Sequence, residues 1–328
     1  MFDQRLKVAV TRRLPDLIER RMEELFDVEL RTEDIPMSHA ELCEKVRNSD
    51  VLVSCITDKI DASVLGNAGS NFRLIANFGA GFDNIDVRTA IQKGILVSNT
   101  PGVVADDTAD LVLALLLNVV RKIPQGLKEM QSGTWSGWSP TGFLGGRLLG
   151  RRLGIIGMGR IGSAVAVRAK AFGLQINYHN RKRLRAELEQ NLNASFWESL
   201  DQMVAHMDVI SINCPHTPST FHLMNARRLN LMKPNSILLN TSRGEVVDEN
   251  ALARLLLKGA ISGVGLDVYE RGRNLNPNLL GLDNVVLLPH MGSATHESRL
   301  EMGEKVIINI KTFMDGHKPP DLIVPAML

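Results

Sequence analysis

Apolar positions along the chain fall into short runs separated by polar stretches of helical period. Lys7–Thr11 reads as a strand, and Pro15–Phe26 as an amphipathic helix with Leu17, Ile18, Met22 and Leu25 on one face. Val51–Cys55, Leu74–Asn77 and Leu96–Ser98 are apolar runs bounded by turn residues, the pattern of parallel strands buried on both faces. Such alternation predicts a compact α/β domain near the start of the chain. Asn99-Thr100-Pro101-Gly102 is a strong turn signal. Asp106, Asp107 and Thr108 then open a helix that runs through an apolar stretch to Val120, with acidic residues at the end that favours them.

The clearest pattern lies between Arg152 and Arg183. Leu153, Ile155 and Ile156 lead into Gly157-Met158-Gly159-Arg160-Ile161-Gly162, a small-residue helix follows, and Gln175–Tyr178 is a second strand. Strand, glycine turn, helix and strand form the context in which G-x-G-x-x-G binds a dinucleotide. Gly157 permits the tight turn, Gly159 the approach of a pyrophosphate, and Gly162 close packing of helix on strand. Val209–Asn213, Ile237–Asn240, Gly263–Leu266 and Val285–Leu287 are four further strand-like runs, making six for a doubly wound sheet. A final helix, Thr295 to Asp315, carries Met302, Val306, Ile310 and Phe313 on one face. With no seventh strand to follow, it is expected to pack back on the first domain.

Composition narrows the class. The 328 residues suffice for two domains, and 44% hydrophobic with 23% charged residues is the balance of a globular protein in water. A net charge of +2 gives no reason to expect nucleic acid or a membrane surface as partner. Cys43, Cys55 and Cys214 form no metal-binding spacing and suit reduced thiols, so the expectation is a cytoplasmic protein with no metal. The stretch from Gln131 to Gly150, with Trp135, Trp138 and Pro140, is either an interaction arm or a loop over a cleft; exposed tryptophans favour a subunit contact.

Candidate chemistry sits at the C-terminal ends of strands. Gly79-Ala80-Gly81 after Leu74–Asn77 leaves backbone N–H groups for a small carboxylate, or is a plain turn. Thr241-Ser242-Arg243-Gly244, Asp267-Val268-Tyr269-Glu270 and Pro289-His290-Met291-Gly292-Ser293 are three polar clusters beyond the glycine turn. Arg243 suits a two-pronged hold on a carboxylate, and His290 suits proton exchange near neutral pH. Together they favour hydride transfer, and a methyltransferase with the same glycine turn would leave them unexplained.

GMGRIG, NTSRGEVVDENAL, GLDVYE, LLPHMGSAT and NFGAGFDNID resemble the D-isomer-specific 2-hydroxyacid dehydrogenases, over essentially the whole chain. NYHNRKR and GWSPTGFLG are most similar to the NADP-dependent glyoxylate/hydroxypyruvate reductases of that family. The resemblance implies a doubly wound parallel-sheet (Rossmann) cofactor domain, 102–293, and a smaller flavodoxin-like α/β substrate domain, discontinuous over 1–101 and 294–328. It implies that Arg243 binds the carboxylate and keto oxygen, that His290 donates the proton, and that the Ala80 and Gly81 N–H groups hold the carboxylate. Thr108, Asp267, Gly292 and Ser293 would surround the nicotinamide and Cys214, Pro215 and Thr220 the adenine side, with Thr241 and Ser242 also binding the cofactor. A homodimer acting on a small 2-keto or 2-hydroxy acid is implied as well.

Two departures change the picture. The end of the second strand carries Asn180, then Arg181, Lys182 and Arg183, in place of the acid that holds a ribose 2′-hydroxyl. That cluster suits a 2′-phosphate, so NADP(H) is preferred and NAD(H) remains usable. The family's carboxylate partner for the histidine falls at Gly272, followed by Arg273 where a proline is usual. Less support for the charged imidazole implies activity that recovers toward acid pH, with Glu270 the nearest replacement. The alternative is a catalytically impaired dinucleotide sensor or scaffold of the same fold.

Overall fold

The computed structural model describes residues 5–327. They form two compact units, Met1–Val104 with Ala294–Leu328, and Ala105–Ser293. The first unit runs β1 (Lys7–Val10), α1 (Asp16–Leu25), β2 (Asp27–Glu29), α2 (His39–Asn48), β3 (Val51–Cys55), α3 (Ala62–Gly66), β4 (Leu74–Phe78), α4 (Val87–Gln92) and β5 (Leu96–Ser98). Its sheet is parallel with order β2-β1-β3-β4-β5, the flavodoxin-like arrangement. β3 and β4 are buried on both faces, as unbroken apolar runs require. In α1 the apolar stripe is narrower than the pattern suggests: Ile18 and Met22 are buried, but Leu17 is exposed.

The second unit holds α5 (Ala105–Val120), α6 (Ile123–Ser132), β6 (Arg152–Ile156), α7 (Arg160–Ala171), β7 (Gln175–His179), α8 (Ala186–Leu192), β8 (Ala194–Phe196) and α9 (Leu200–His206). It continues with β9 (Val209–Ile212), α10 (Ala226–Leu229), β10 (Ile237–Asn240), α11 (Glu249–Leu257), β11 (Gly263–Leu266) and β12 (Val285–Leu287). The parallel sheet has order β12-β11-β10-β9-β6-β7-β8, so the chain reverses direction across the sheet between β6 and β9. Six strands were expected and seven are present. The addition is β8, a three-residue edge strand paired with β7, too short to show a pattern. Separate apolar cores lie on the two faces of this sheet, one built on α5 and α7 and the other on α9 and α11.

The last helix, α12 (His296–Met314), belongs to the first unit and packs on α1 and β4. Gly303 faces Ile18 so closely that a Cβ would overlap the isoleucine side chain. Ile18 is fully buried there, a contribution of roughly 1.5–3 kcal/mol from removing its surface from water.

Candidate active site

At the end of β6 the chain enters the glycine turn. Gly157 takes φ +96°, in the left-handed region that favours glycine. A Cβ on Gly157 would lie 2.8 Å from the backbone of Asn213 and Cys214, so the turn rests on the chain leaving β9. A Cβ on Gly162 would overlap the Gly157 carbonyl, which is how α7 rises so close to the turn. Gly159 differs: nothing lies within 4 Å of where its Cβ would be. It also caps α7 without a side-chain bond. The N–H groups of Arg160, Ile161 and Gly162 thus open the helix with no acceptor inside it. An open cradle lined by such donors fits the pyrophosphate of a dinucleotide.

The rim beside this cradle is set by Asn180. Its Oδ1 accepts the N–H of Met158 at 2.7 Å, tying the glycine turn to the end of β7. Arg181 and Lys182 follow, both exposed and without an ion pair among the described residues. Arg183 is taken up elsewhere. Its Nε and Nη2 grip Glu189 at 2.9 and 2.8 Å, and its guanidinium lies over the Phe196 ring. The Tyr178 hydroxyl donates to the same carboxylate at 2.5 Å and accepts the Leu184 N–H at 3.0 Å. The loop after β7 is thereby pinned at both ends, with Arg181 and Lys182 left facing solvent.

After β9, Thr220 Oγ1 donates to the Pro215 carbonyl and accepts from the Thr217 N–H, closing a compact turn. Burial pushes the Cys214 thiol up to about 11, so it stays protonated there.

Arg243 follows β10 in extended backbone and caps a short turn, Gly244–Val246. Asn240 fixes it from behind: its Nδ2 donates to the Arg243 carbonyl at 2.8 Å, and its Oδ1 accepts from Ser242. Thr241 is buried beside it. A Cβ on Gly244 would overlap the Tyr269–Glu270 peptide, so the turn carrying Arg243 lies directly on the segment leaving β11.

That segment also holds His290. The residue takes φ +56°, a conformation rare outside glycine. Asp267, fully buried, accepts the N–H of Met291 at 2.8 Å through Oδ1 and that of Gly292 at 2.9 Å through Oδ2. Burial pushes its carboxyl above the ordinary value, against the pull of the His290, Met291 and Gly292 N–H groups. Thr108, on α5, donates to the Gly292 carbonyl at 3.0 Å, and the Tyr269 hydroxyl to that of Leu288 at 2.6 Å. Asp267 and Thr108 therefore build the turn next to the histidine, with Ser293 just beyond it.

Glu270, the nearest carboxylate to the gap at Gly272, bonds elsewhere. Its Oε1 lies 2.6 Å from His222 Nε2, and its Oε2 faces the Glu249 N–H at 3.4 Å. With both oxygens so engaged it does not stand in for the carboxylate missing at Gly272, which is itself exposed at φ +56°. His222 and Glu249 escaped the sequence reading because they lie 48 and 21 residues from Glu270, with no local pattern linking them.

In the first unit, the loop after β4 has its carbonyls drawn back. The Thr100 N–H takes Gly79 O at 3.0 Å, Asn99 Nδ2 takes Ala80 O at 2.7 Å, and Asn77 Nδ2 takes Gly81 O at 2.8 Å. Among the described residues the N–H groups of Ala80 and Gly81 have no acceptor. Two neighbouring donors without acceptors could hold a small anion. Asn77 and Asn99, buried at strand ends, were the signal available for it.

Residues 113–292 match the family model described as D-isomer specific 2-hydroxyacid dehydrogenase, NAD binding domain. The glyoxylate reductase of Thermococcus litoralis is 45% identical over 321 residues, 97% of this chain and 96% of the relative. That of Pyrococcus horikoshii is 42% identical over 97% of this chain and 95% of its own length. Among solved structures, the NADPH-dependent glyoxylate/hydroxypyruvate reductase of Sinorhizobium meliloti, in complex with NADP and malonate, superposes with a TM-score of 0.87 at 32% identity. That alignment covers 98% of this chain and 97% of the other.

Proposed function

The chain belongs to the D-isomer-specific 2-hydroxyacid dehydrogenases, and from that premise we propose that it reduces glyoxylate or hydroxypyruvate to the 2-hydroxy acid, with NADPH the preferred reductant. One observation carries the reading. Arg243 and His290 stand at the C-terminal ends of β10 and β12, and the single segment leaving β11 packs against or bonds both of their turns.

With its pyrophosphate in the cradle of Gly157, Gly159 and Gly162, a reduced dinucleotide would supply the hydride for the keto carbon. Arg243 grips the carboxylate beside that carbon and steers the keto oxygen. His290, protonated, gives its Nε2 or Nδ1 proton to that oxygen as it becomes a hydroxyl, and takes it back in the oxidative direction. The Ala80 and Gly81 N–H groups suit a carboxylate oxygen, and the tight loop around them suits a small acid.

Preference for NADPH is supported by the same rim that removes the acid. Asn180 uses its oxygen on Met158, and Arg181 and Lys182 are available to a 2′-phosphate. The exposed segment after α6, with Trp138 at 85% and Leu149 at 68% exposure, supports a homodimer as the working form.

The test is oxidation of NADPH and of NADH with glyoxylate and hydroxypyruvate between pH 5 and 8. Turnover with NADPH, faster toward acid because the reaction uses a protonated imidazole, is the expected result. Tight NADPH binding without turnover at any pH would select the sensor reading, which Gly272 favours.

A further inference from the structure

The proposed reaction needs Arg243 at a fixed place, and a clasp remote from the substrate surrounds the turn that carries it. On one side, His222 N–H donates to the Glu245 carbonyl at 2.8 Å, Met224 N–H to Val246 O at 3.0 Å, and Asp248 N–H to Met224 O at 3.1 Å. On the other side, Gly244 presses on the Tyr269–Glu270 peptide. The turn after Arg243 is thus held between two strips of chain, 222–224 and 269–270.

The two strips are joined to each other. Glu270 Oε1 meets His222 Nε2 at 2.6 Å. The Glu270 N–H donates to Glu249 Oε1 at 2.6 Å, and the Glu249 N–H returns to Glu270 Oε2 at 3.4 Å. His222 adopts φ +46° to make this contact, with its ring stacked on Phe221 at 4.1 Å and an interplanar angle of 13°. Glu249 is buried, and that burial pushes its carboxyl above the ordinary value. A strained histidine, a buried glutamate and a reciprocal pair of bonds are costly to assemble where a plain apolar contact would pack the chain.

We propose that His222 and Glu270 are positioning residues for Arg243: their bond closes the clasp across the Gly244–Val246 turn and so fixes the guanidinium that binds the keto acid. The pair requires only that His222 Nε2 donates to Glu270 Oε1. Three residues upstream of Glu270, Asp267 holds the His290 turn. One rigid segment therefore sets the spacing between the carboxylate grip and the proton donor. This rests on Arg243 binding the substrate carboxylate, as proposed above.

Three single variants of the full chain and one double variant test it: His222→Asn, which keeps a residue tolerant of positive φ but removes the ring; Glu270→Ala; Glu270→Gln, whose amide oxygen still accepts from His222; and His222→Asn combined with Glu270→Ala. Each is measured for KM with glyoxylate, kcat, NADPH affinity by fluorescence and melting temperature. His222→Asn and Glu270→Ala should raise the glyoxylate KM about tenfold or more, while NADPH affinity stays within about twofold. Glu270→Gln should keep KM within about threefold of wild type, and the double variant His222→Asn with Glu270→Ala should be no worse than either single one. Lowered melting temperature with an unchanged KM would overturn the proposal, as would additive losses in the double variant. If Glu270→Ala fails to fold, the contrast between His222→Asn and Glu270→Gln decides by the same criterion. An inactive wild type with NADPH and glyoxylate would refute the assigned reaction itself, and is thereby distinguished from failure of the clasp.

Discussion

Asn180 Oδ1 accepts the Met158 N–H at 2.7 Å, so the residue at the tip of β7 shapes the glycine turn before it meets any ligand. An aspartate at this position retains the acceptor and adds a charge. Asn180→Asp should therefore fold normally, raise the KM for NADPH about tenfold or more by repulsion of a 2′-phosphate, and improve NADH. Arg183→Ala should leave the NADPH KM nearly unchanged, because Glu189 already occupies that guanidinium. Steady-state kinetics with the two cofactors checks both.

The glycines of the turn separate binding from folding. With nothing within 4 Å of its Cβ position, Gly159→Ala should keep the wild-type melting temperature yet weaken NADPH binding about tenfold or more, since the added methyl stands in the cradle. Gly162→Ala meets the Gly157 carbonyl instead, and should lose about 1–3 kcal/mol of stability. Denaturant melts with and without NADPH distinguish the two.

Asp267→Asn tests how the His290 turn is held. An amide offers one oxygen and one NH2 to two N–H groups, so one of the Met291 and Gly292 bonds is replaced by a donor facing a donor. Losing a bond to a charged acceptor is worth about 1.5–3 kcal/mol. If half or more of that falls on the transition state, kcat should drop roughly 3- to 150-fold. NADPH affinity, measured alongside, should change less.

These contacts mark the limit of what the sequence discloses. The glycine turn and the polar clusters after β10, β11 and β12 are local patterns, readable because a strand end and its loop are contiguous. β8 was missed because Ala194, Ser195 and Phe196 are too few to show a period, and β2 (Asp27–Glu29) because its side chains are polar or half exposed. The partners of Glu270 and of Asn180 were illegible for another reason. Each bond joins a side chain to residues at least 21 positions away, and only the folded sheet brings them together. Glu270 therefore looked like a candidate for His290 when its neighbour is His222.

The acid limb of stability has an identifiable contributor. Glu41 closes a capping box with Ser38 at the start of α2 and receives Arg31 at 2.9 Å. The Ser38 backbone and side-chain bonds, and then Arg31, lower its carboxyl from 4.5 to about 2. A carboxyl depressed in the folded state adds stability above its ordinary pKa, and that contribution is lost as pH falls from 4.5 toward about 2. Glu41→Gln keeps the cap without titrating. The gap in melting temperature between wild type and variant should shrink from pH 5 to pH 3.

The placement of α12 dictates an order of assembly during translation. β1, α1 and β3 emerge early, yet Met302, Val306, Ile307 and Ile310 complete their core from the other end of the sequence. Until the ribosome has delivered those residues, the apolar side of α1 at Ile18 and Met22 has no cover, and Gly303 cannot seat against it. The intervening unit, by contrast, is continuous and has all its strands by Leu287. Vectorial synthesis should thus let the dinucleotide-fold unit mature first, while the amino-terminal sheet completes its core last.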